Sequence, residues 1–143
     1  MHLIKDDQVS LEPLAGKTVA VLGYGNQGQA QALNLRDSGV RVVVGNRDDR
    51  YRALAATDGF EPTGIAEAAE AGDVLLVLTT DESQPLIWRE QILPGVRPGR
   101  ALVWASGYNV GYGLIEPPPG ADVVMVAPRM TGAGADADKQ QAD

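Results

Sequence analysis

Short apolar runs of strand length alternate with amphipathic segments along most of the chain. The runs at residues 18–22, 41–44, 74–78, 101–104 and 122–126 are rich in valine and nearly free of internal polar residues. Strands covered on both faces of a parallel sheet read this way. Helical spacing is found at 27–37, 51–57, 65–71 and 83–93. Gly39, Gly59 and Gly72 follow the first three of these helices, where a left-handed C-terminal residue is expected. Pro94 and Gly95 stop the fourth, and Asp81 is its expected N-cap. A weaker strand is expected at Phe60 and Glu61. Alternating strand and helix predicts an α/β fold with a doubly wound parallel sheet in a single domain, residues 16–132. Residues 1–15 form a lead-in with a few apolar anchors. Residues 133–143 hold no hydrophobe larger than alanine and are expected to be a disordered tail.

Composition removes several chemistries. With no cysteine and a single histidine, His2, the 143 residues exclude thiolate catalysis, disulfides, cysteine-ligated metals and an internal imidazole base. The net charge of −7 argues against a general nucleic-acid or anionic-membrane binder. No apolar run reaches the ~18–20 residues of a membrane span, and no signal peptide is visible, so a cytoplasmic location is expected.

One motif carries chemistry. Gly23-Tyr24-Gly25-Asn26-Gln27-Gly28 is a G-x-G-x-x-G turn that directly follows a Val-rich strand and opens a helix, the context such a motif needs. Gly23 suits the tight turn, Gly25 a close approach of the backbone to a pyrophosphate, and Gly28 close packing of helix on strand. The amides of the helix N-terminus meet the phosphate charge. The domain is therefore expected to be Rossmann-like and to bind a dinucleotide. The second strand ends in Gly45-Asn46-Arg47, without the acidic residue that holds the ribose of NAD. Arg47, Arg50 and Arg52 follow within six residues and suit a 2′-phosphate, which favours NADP(H). Asp48 and Asp49 either cap the next helix or bind ribose hydroxyls, which keeps NADH open.

The stretch from Gly23 to Gly45 closely resembles the N-terminal cofactor domain of ketol-acid reductoisomerase (acetohydroxy acid isomeroreductase). The likeness continues through Asp81-Glu82-Ser83-Gln84, Gly107-Tyr108-Asn109, Pro117-Pro118 and Val124 to Pro128, covering about residues 14–132. It implies that Tyr24, Gly25, Asn26 and Gln27 form the pyrophosphate loop, with Asn26 where serine is usual. It implies that Arg47 binds the cofactor, and that Arg50 and Arg52 replace serines at the 2′-phosphate. Asp81, Glu82, Ser83 and Gln84 match a loop lying along the cofactor, and Gly132 a glycine near the nicotinamide. Ser106 stands in the position of the family's catalytic histidine and Arg129 in that of a lysine; Met130 and Thr131 replace a Gly-Pro pair. The family's helical domain, which holds two magnesium ions and the substrate, is not expected within these residues. Asp136, Asp138 and Asp143 lack the scaffold a magnesium site requires.

The resemblance implies the hydride-transfer half of an oxidoreductase acting on a 2-keto acid, an acetohydroxy acid or a related imine. The alternative is a dinucleotide-binding module without turnover. Ser106 either hydrogen-bonds a substrate or caps the following turn. Tyr108 and Tyr112 are expected to pack the cofactor loop, Trp88 and Trp104 to be core or interface residues, and Glu67 and Glu70 to be solvated. The apolar stretches 104–114, 117–119 and 128–131 predict a homodimer, unless a helical domain covers them.

Overall fold

The structure is a computed structural model and describes residues 8–128. Five parallel strands form one sheet in the order β2-β1-β3-β4-β5. They are β1 (Thr18–Leu22), β2 (Arg41–Gly45), β3 (Val74–Val77), β4 (Ala101–Trp104) and β5 (Asp122–Met125). The helices are α1 (Asn26–Asp37), α2 (Arg50–Thr57), α3 (Ile65–Ala71), α4 (Gln84–Ile87) and α5 (Tyr108–Gly111). Expected and observed strands agree to within a residue at either end. The lead-in contributes a 3₁₀ turn, Glu12–Leu14. The expected tail lies outside the described residues. Among those described, no helix is long and apolar enough to cross a membrane.

The period of two along β1 explains the layering. Ala20 and Leu22 face one way, where they pack with Leu75, Val77, Leu102 and Trp104 against α3, Trp88 and Ile92. Val19 and Val21 face the other way, toward Ala32 of α1 and Ala55 of α2. Both faces of β1 are thus covered, and its last four residues are buried. Trp88 and Trp104 meet in the core with ring centroids 5.6 Å apart. Glu67 and Glu70 are exposed, and Glu70 pairs with Arg97 at 3.1 Å.

Several expectations require correction. β5 was expected to be covered on both faces, but all four of its residues are exposed, Met125 to 62%. It is an edge strand that pairs only with β4 among the described residues. Gly72 is extended, at φ −83°, so the left-handed reading fails there. A Cβ at Gly72 would stand 2.6 Å from that of Ala20, so close packing accounts for this glycine. No strand forms at Phe60 and Glu61; a single bridge joins Gly45 to Thr63. The fourth helix changes pitch after α4, through a π turn at Trp88–Ile92 and a 3₁₀ turn at Leu93–Gly95. The wider turn brings both Trp88 and Ile92 into the core. Asp81 does not cap α4: Ser83 occupies the cap position, and the Thr80 carbonyl accepts the Ser83 and Gln84 amides.

Arg100 braces the far end of the sheet. Its guanidinium donates to the carbonyls of Ala69 and Gly95, each at 2.7 Å, and of Glu70. A cation at the carbonyl-bearing end of α3 is favourable. Burial pulls the pKa of Arg100 below its ordinary value.

Candidate functional site

A crevice of about 390 Å³ opens at the C-terminal ends of β1, β2 and β3. Its floor is the glycine-rich turn. Gly23 has φ +101°, a conformation that side-chain-bearing residues rarely adopt, and its N–H donates to the Gly45 carbonyl at 2.8 Å. A Cβ there would reach 2.8 Å from the Thr79 amide nitrogen. Gly28 is tighter still, since a Cβ would lie 1.9 Å from the Gly23 carbonyl oxygen. Gly25 differs from both: it is the residue before α1, and a Cβ on it would meet no atom within 4 Å. Of the three glycines of the turn, only Gly25 faces open space.

Tyr24 turns inward. Its ring is fully buried beside Phe60, and its hydroxyl donates to the Asp58 carboxylate at 2.9 Å. Gln29 donates to the same oxygen. Burial, followed by the Asp58 carboxylate, pushes the Tyr24 phenol well above its ordinary pKa. The Tyr24 amide is engaged as well, donating to Asn46 Oδ1 at 2.9 Å. Tyr24 therefore anchors the turn from beneath and lines the crevice together with Gly23, Gly25, Asn26 and Gln27.

Asn46 joins the two ends of the crevice floor, a role that sequence reasoning missed. It is 6% exposed, and its Nδ2 donates to Asp49 Oδ1 at 2.8 Å and to the Arg47 carbonyl at 3.0 Å. Asp49 is the N-cap of α2, accepting the amides of Tyr51 and Arg52. Its other oxygen accepts from Arg47 Nε at 2.6 Å. That guanidinium, aided by the two backbone amides, holds the Asp49 carboxyl below its ordinary 3.8. Asp49 thus fills the capping role, and Asp48 is exposed. Asp49→Ala is expected to cost about 1 kcal/mol at neutral pH. A group with a depressed folded pKa stabilises above its unfolded value and loses that contribution as pH falls through the folded one. The gap between wild type and variant in urea denaturation should therefore narrow below pH 3.8. An equal gap at pH 7 and pH 3 would contradict this assignment.

The three arginines separate. Arg47 lines the crevice, whereas Arg50 lies over the Tyr51 ring and Arg52 donates to the Pro62 carbonyl at 3.3 Å. On the opposite wall, Thr79, Thr80 and Ser83 face the crevice. Asp81 and the exposed Glu82 are not part of that wall, and Gln84 is buried behind it. Ser106 lies just past β4, donating to the Asp81 carboxylate at 3.2 Å and accepting the Tyr108 amide at 3.3 Å, so it does cap that turn. Tyr108 of α5 and Tyr112 just past it pack on each other, with ring centroids 5.0 Å apart. Arg129 and Gly132 lie outside the described residues, as do Met130 and Thr131.

The parallel sheet, the glycine-rich turn at the end of β1 and the crevice above it define a dinucleotide-binding domain of the Rossmann class. Residues 13–141 match the family described as acetohydroxy acid isomeroreductase, NADPH-binding domain, and the chain belongs to that family. It is 52% identical over 128 residues to the ketol-acid reductoisomerase (NADP(+)) of Pyrobaculum neutrophilum and 53% identical to that of Methanopyrus kandleri. Each alignment covers 89% of this chain and 39% of the relative, so the chain spans well under half the length of these curated relatives. Among solved structures, an NADH-preferring ketol-acid reductoisomerase from an uncultured archean superposes with a TM-score of 0.95 at 40% identity. That match covers 99% of this chain and 45% of the other.

Proposed function

We propose that this chain binds NADPH across the crevice and serves as the hydride-transfer half of a reductoisomerase acting on an acetohydroxy acid or a related 2-keto acid. The opening at Gly25 carries the reading. Between Gly23 and Gly28, both hemmed in by backbone, it leaves room for a pyrophosphate beside the α1 N-terminus. Arg47 would meet the 2′-phosphate at the tip of β2. Thr79, Thr80 and Ser83 would line the nicotinamide half, and NADPH supplies the hydride when bound. Titrating the protein into NADPH and following the cofactor's own fluorescence tests the reading. A saturable change at micromolar protein is expected, and no saturation at millimolar protein would end it.

These residues alone are not expected to carry out the alkyl migration. The Ser106 hydroxyl already donates to the Asp81 carboxylate and accepts the Tyr108 amide, and a serine hydroxyl is too weak an acid to take over proton donation from an imidazolium. Among the described residues, no three carboxylate or imidazole groups gather to hold a metal ion, so no metal-assisted step is assigned to them.

A homodimer is the proposed assembly. Tyr108, Tyr112 and Leu114 are each more than half exposed, and Val123, Val124, Met125 and Val126 extend the apolar surface. Trp104 and Ile115 are buried and take no part. Sedimentation at micromolar concentration should show a dimer, and a monomer across that range would remove the proposal.

A further inference from the structure

Asn109 lies on α5, behind the crevice wall, and is 1% exposed. Burying an amide without partners costs about 1–3 kcal/mol, so its partners explain its presence. Its Nδ2 donates to the Asp81 carbonyl at 3.0 Å and to Gln84 Oε1 at 3.1 Å. Gln84, itself 3% exposed, extends the link by donating from Nε2 to the Thr79 carbonyl at 2.8 Å. Ser106 adds a parallel tie to the Asp81 carboxylate. The segment 79–84 is therefore fastened from behind to the chain that follows β4, while Thr79, Thr80 and Ser83 face the crevice.

The link has a direction. Asn109 uses its NH₂ group for both bonds, and its Oδ1 has no hydrogen-bond partner. The position requires a donor, because both atoms opposite it are oxygens. In the sheet order β2-β1-β3-β4, Arg47 marks one end of the crevice and segment 79–83 the other. A dinucleotide with its adenosine at Arg47 must lay its second half against that segment. We propose that Asn109 is a positioning residue that holds the 79–84 segment in place as the wall for the nicotinamide half of the cofactor. The proposal rests on the NADPH reading above.

Asn109→Asp tests it. The side chain keeps its shape, but its donor becomes an oxygen facing the Asp81 carbonyl and Gln84 Oε1. Wild type and variant are each titrated with NADPH and with adenosine 2′,5′-bisphosphate, which carries the adenosine and the 2′-phosphate but no nicotinamide. NADPH affinity is expected to fall about tenfold or more as both bonds donated by Asn109 Nδ2 are lost, while the fragment stays within about twofold. Equal weakening of both ligands overturns the proposal, since a general disturbance of the domain would do that. Unchanged NADPH affinity in the folded variant overturns it too. Failure of the wild type to bind NADPH at all overturns the cofactor reading instead. If Asn109→Asp does not fold, Gln84→Met breaks the same link from the other side and takes the same two titrations and criteria.

Discussion

Gly28→Ala is expected to leave the protein unable to bind NADPH and destabilised by about 3 kcal/mol or more. The added methyl would sit 1.9 Å from the Gly23 carbonyl oxygen and 2.9 Å from its carbon. Both are backbone atoms of a residue already held on two sides. Gly23 donates to Gly45, and its own Cβ position is closed off by Thr79 and Leu78. No side chain can rotate away to make room, so α1 must separate from β1 or the turn must open. Either outcome removes the surface that meets the pyrophosphate. Gly25→Ala provides the control that separates packing from binding. Gly25 lies at φ −77° with no atom within 4 Å of its Cβ position, so stability should change by no more than about 0.5 kcal/mol. NADPH affinity should nevertheless drop, because the methyl occupies the space open to the ligand. Urea denaturation and fluorescence titration of both variants give the comparison. A stable Gly28→Ala protein, or a Gly25→Ala protein with wild-type affinity, would contradict the geometry.

NADPH is expected to raise the melting temperature more than NADH at equal concentration, and Arg47→Ala to abolish the difference. A ligand at about 100 times its dissociation constant adds about 2.7 kcal/mol of stability. A charge-assisted bond to a phosphate contributes about 1.5–3 kcal/mol, or roughly a ten- to hundredfold difference in affinity. The Arg47–Asp49 pair opposes this. Its 2.6 Å contact must be shared or broken when a phosphate arrives, and the Asp49 carboxylate repels that phosphate. Arg47 is 78% exposed in the pair, so little desolvation stands in the way of the exchange. Equal shifts, or a larger one with NADH, would make Asp49 the ribose contact and align this chain with its NADH-preferring relative.

The contrast between Arg47 and its two neighbours shows how far the sequence could be read. Three arginines within six residues announce a basic strand tip. Which of them faces the ligand depends on the phase of α2 and on local partners such as the Tyr51 ring and the Pro62 carbonyl. The strands were legible because a run of valines is itself the physical cause of burial in a parallel sheet. β5 carries the same signal yet is exposed, because burial also requires a covering layer, and a strand's own residues do not encode one. The linking roles of Asn46, Gln84 and Asn109 were not legible for a related reason. Their partners lie 22 and 25 residues away, as in Tyr24 with Asn46 and Gln84 with Asn109, and no local pattern records such pairing. The position of the glycine-rich turn was readable because a side chain at Gly23 or Gly28 would strain φ or clash within six residues, whereas the inward anchoring of Tyr24 by Asn46 and Asp58 was not.

The exposed β5 has a consequence for how the domain behaves when concentrated. Among the described residues the outer side of β5 pairs with no strand, and Val123 to Val126 are exposed, so this edge can offer hydrogen-bonding groups to another extended chain. Mutual repulsion between molecules of charge −7 keeps such edges apart at low ionic strength, and added salt screens that repulsion. Colloidal stability therefore runs opposite to the usual salting-in of proteins. Dilute buffer is expected to keep the domain dispersed, and concentrated salt to promote edge-to-edge association of its sheet.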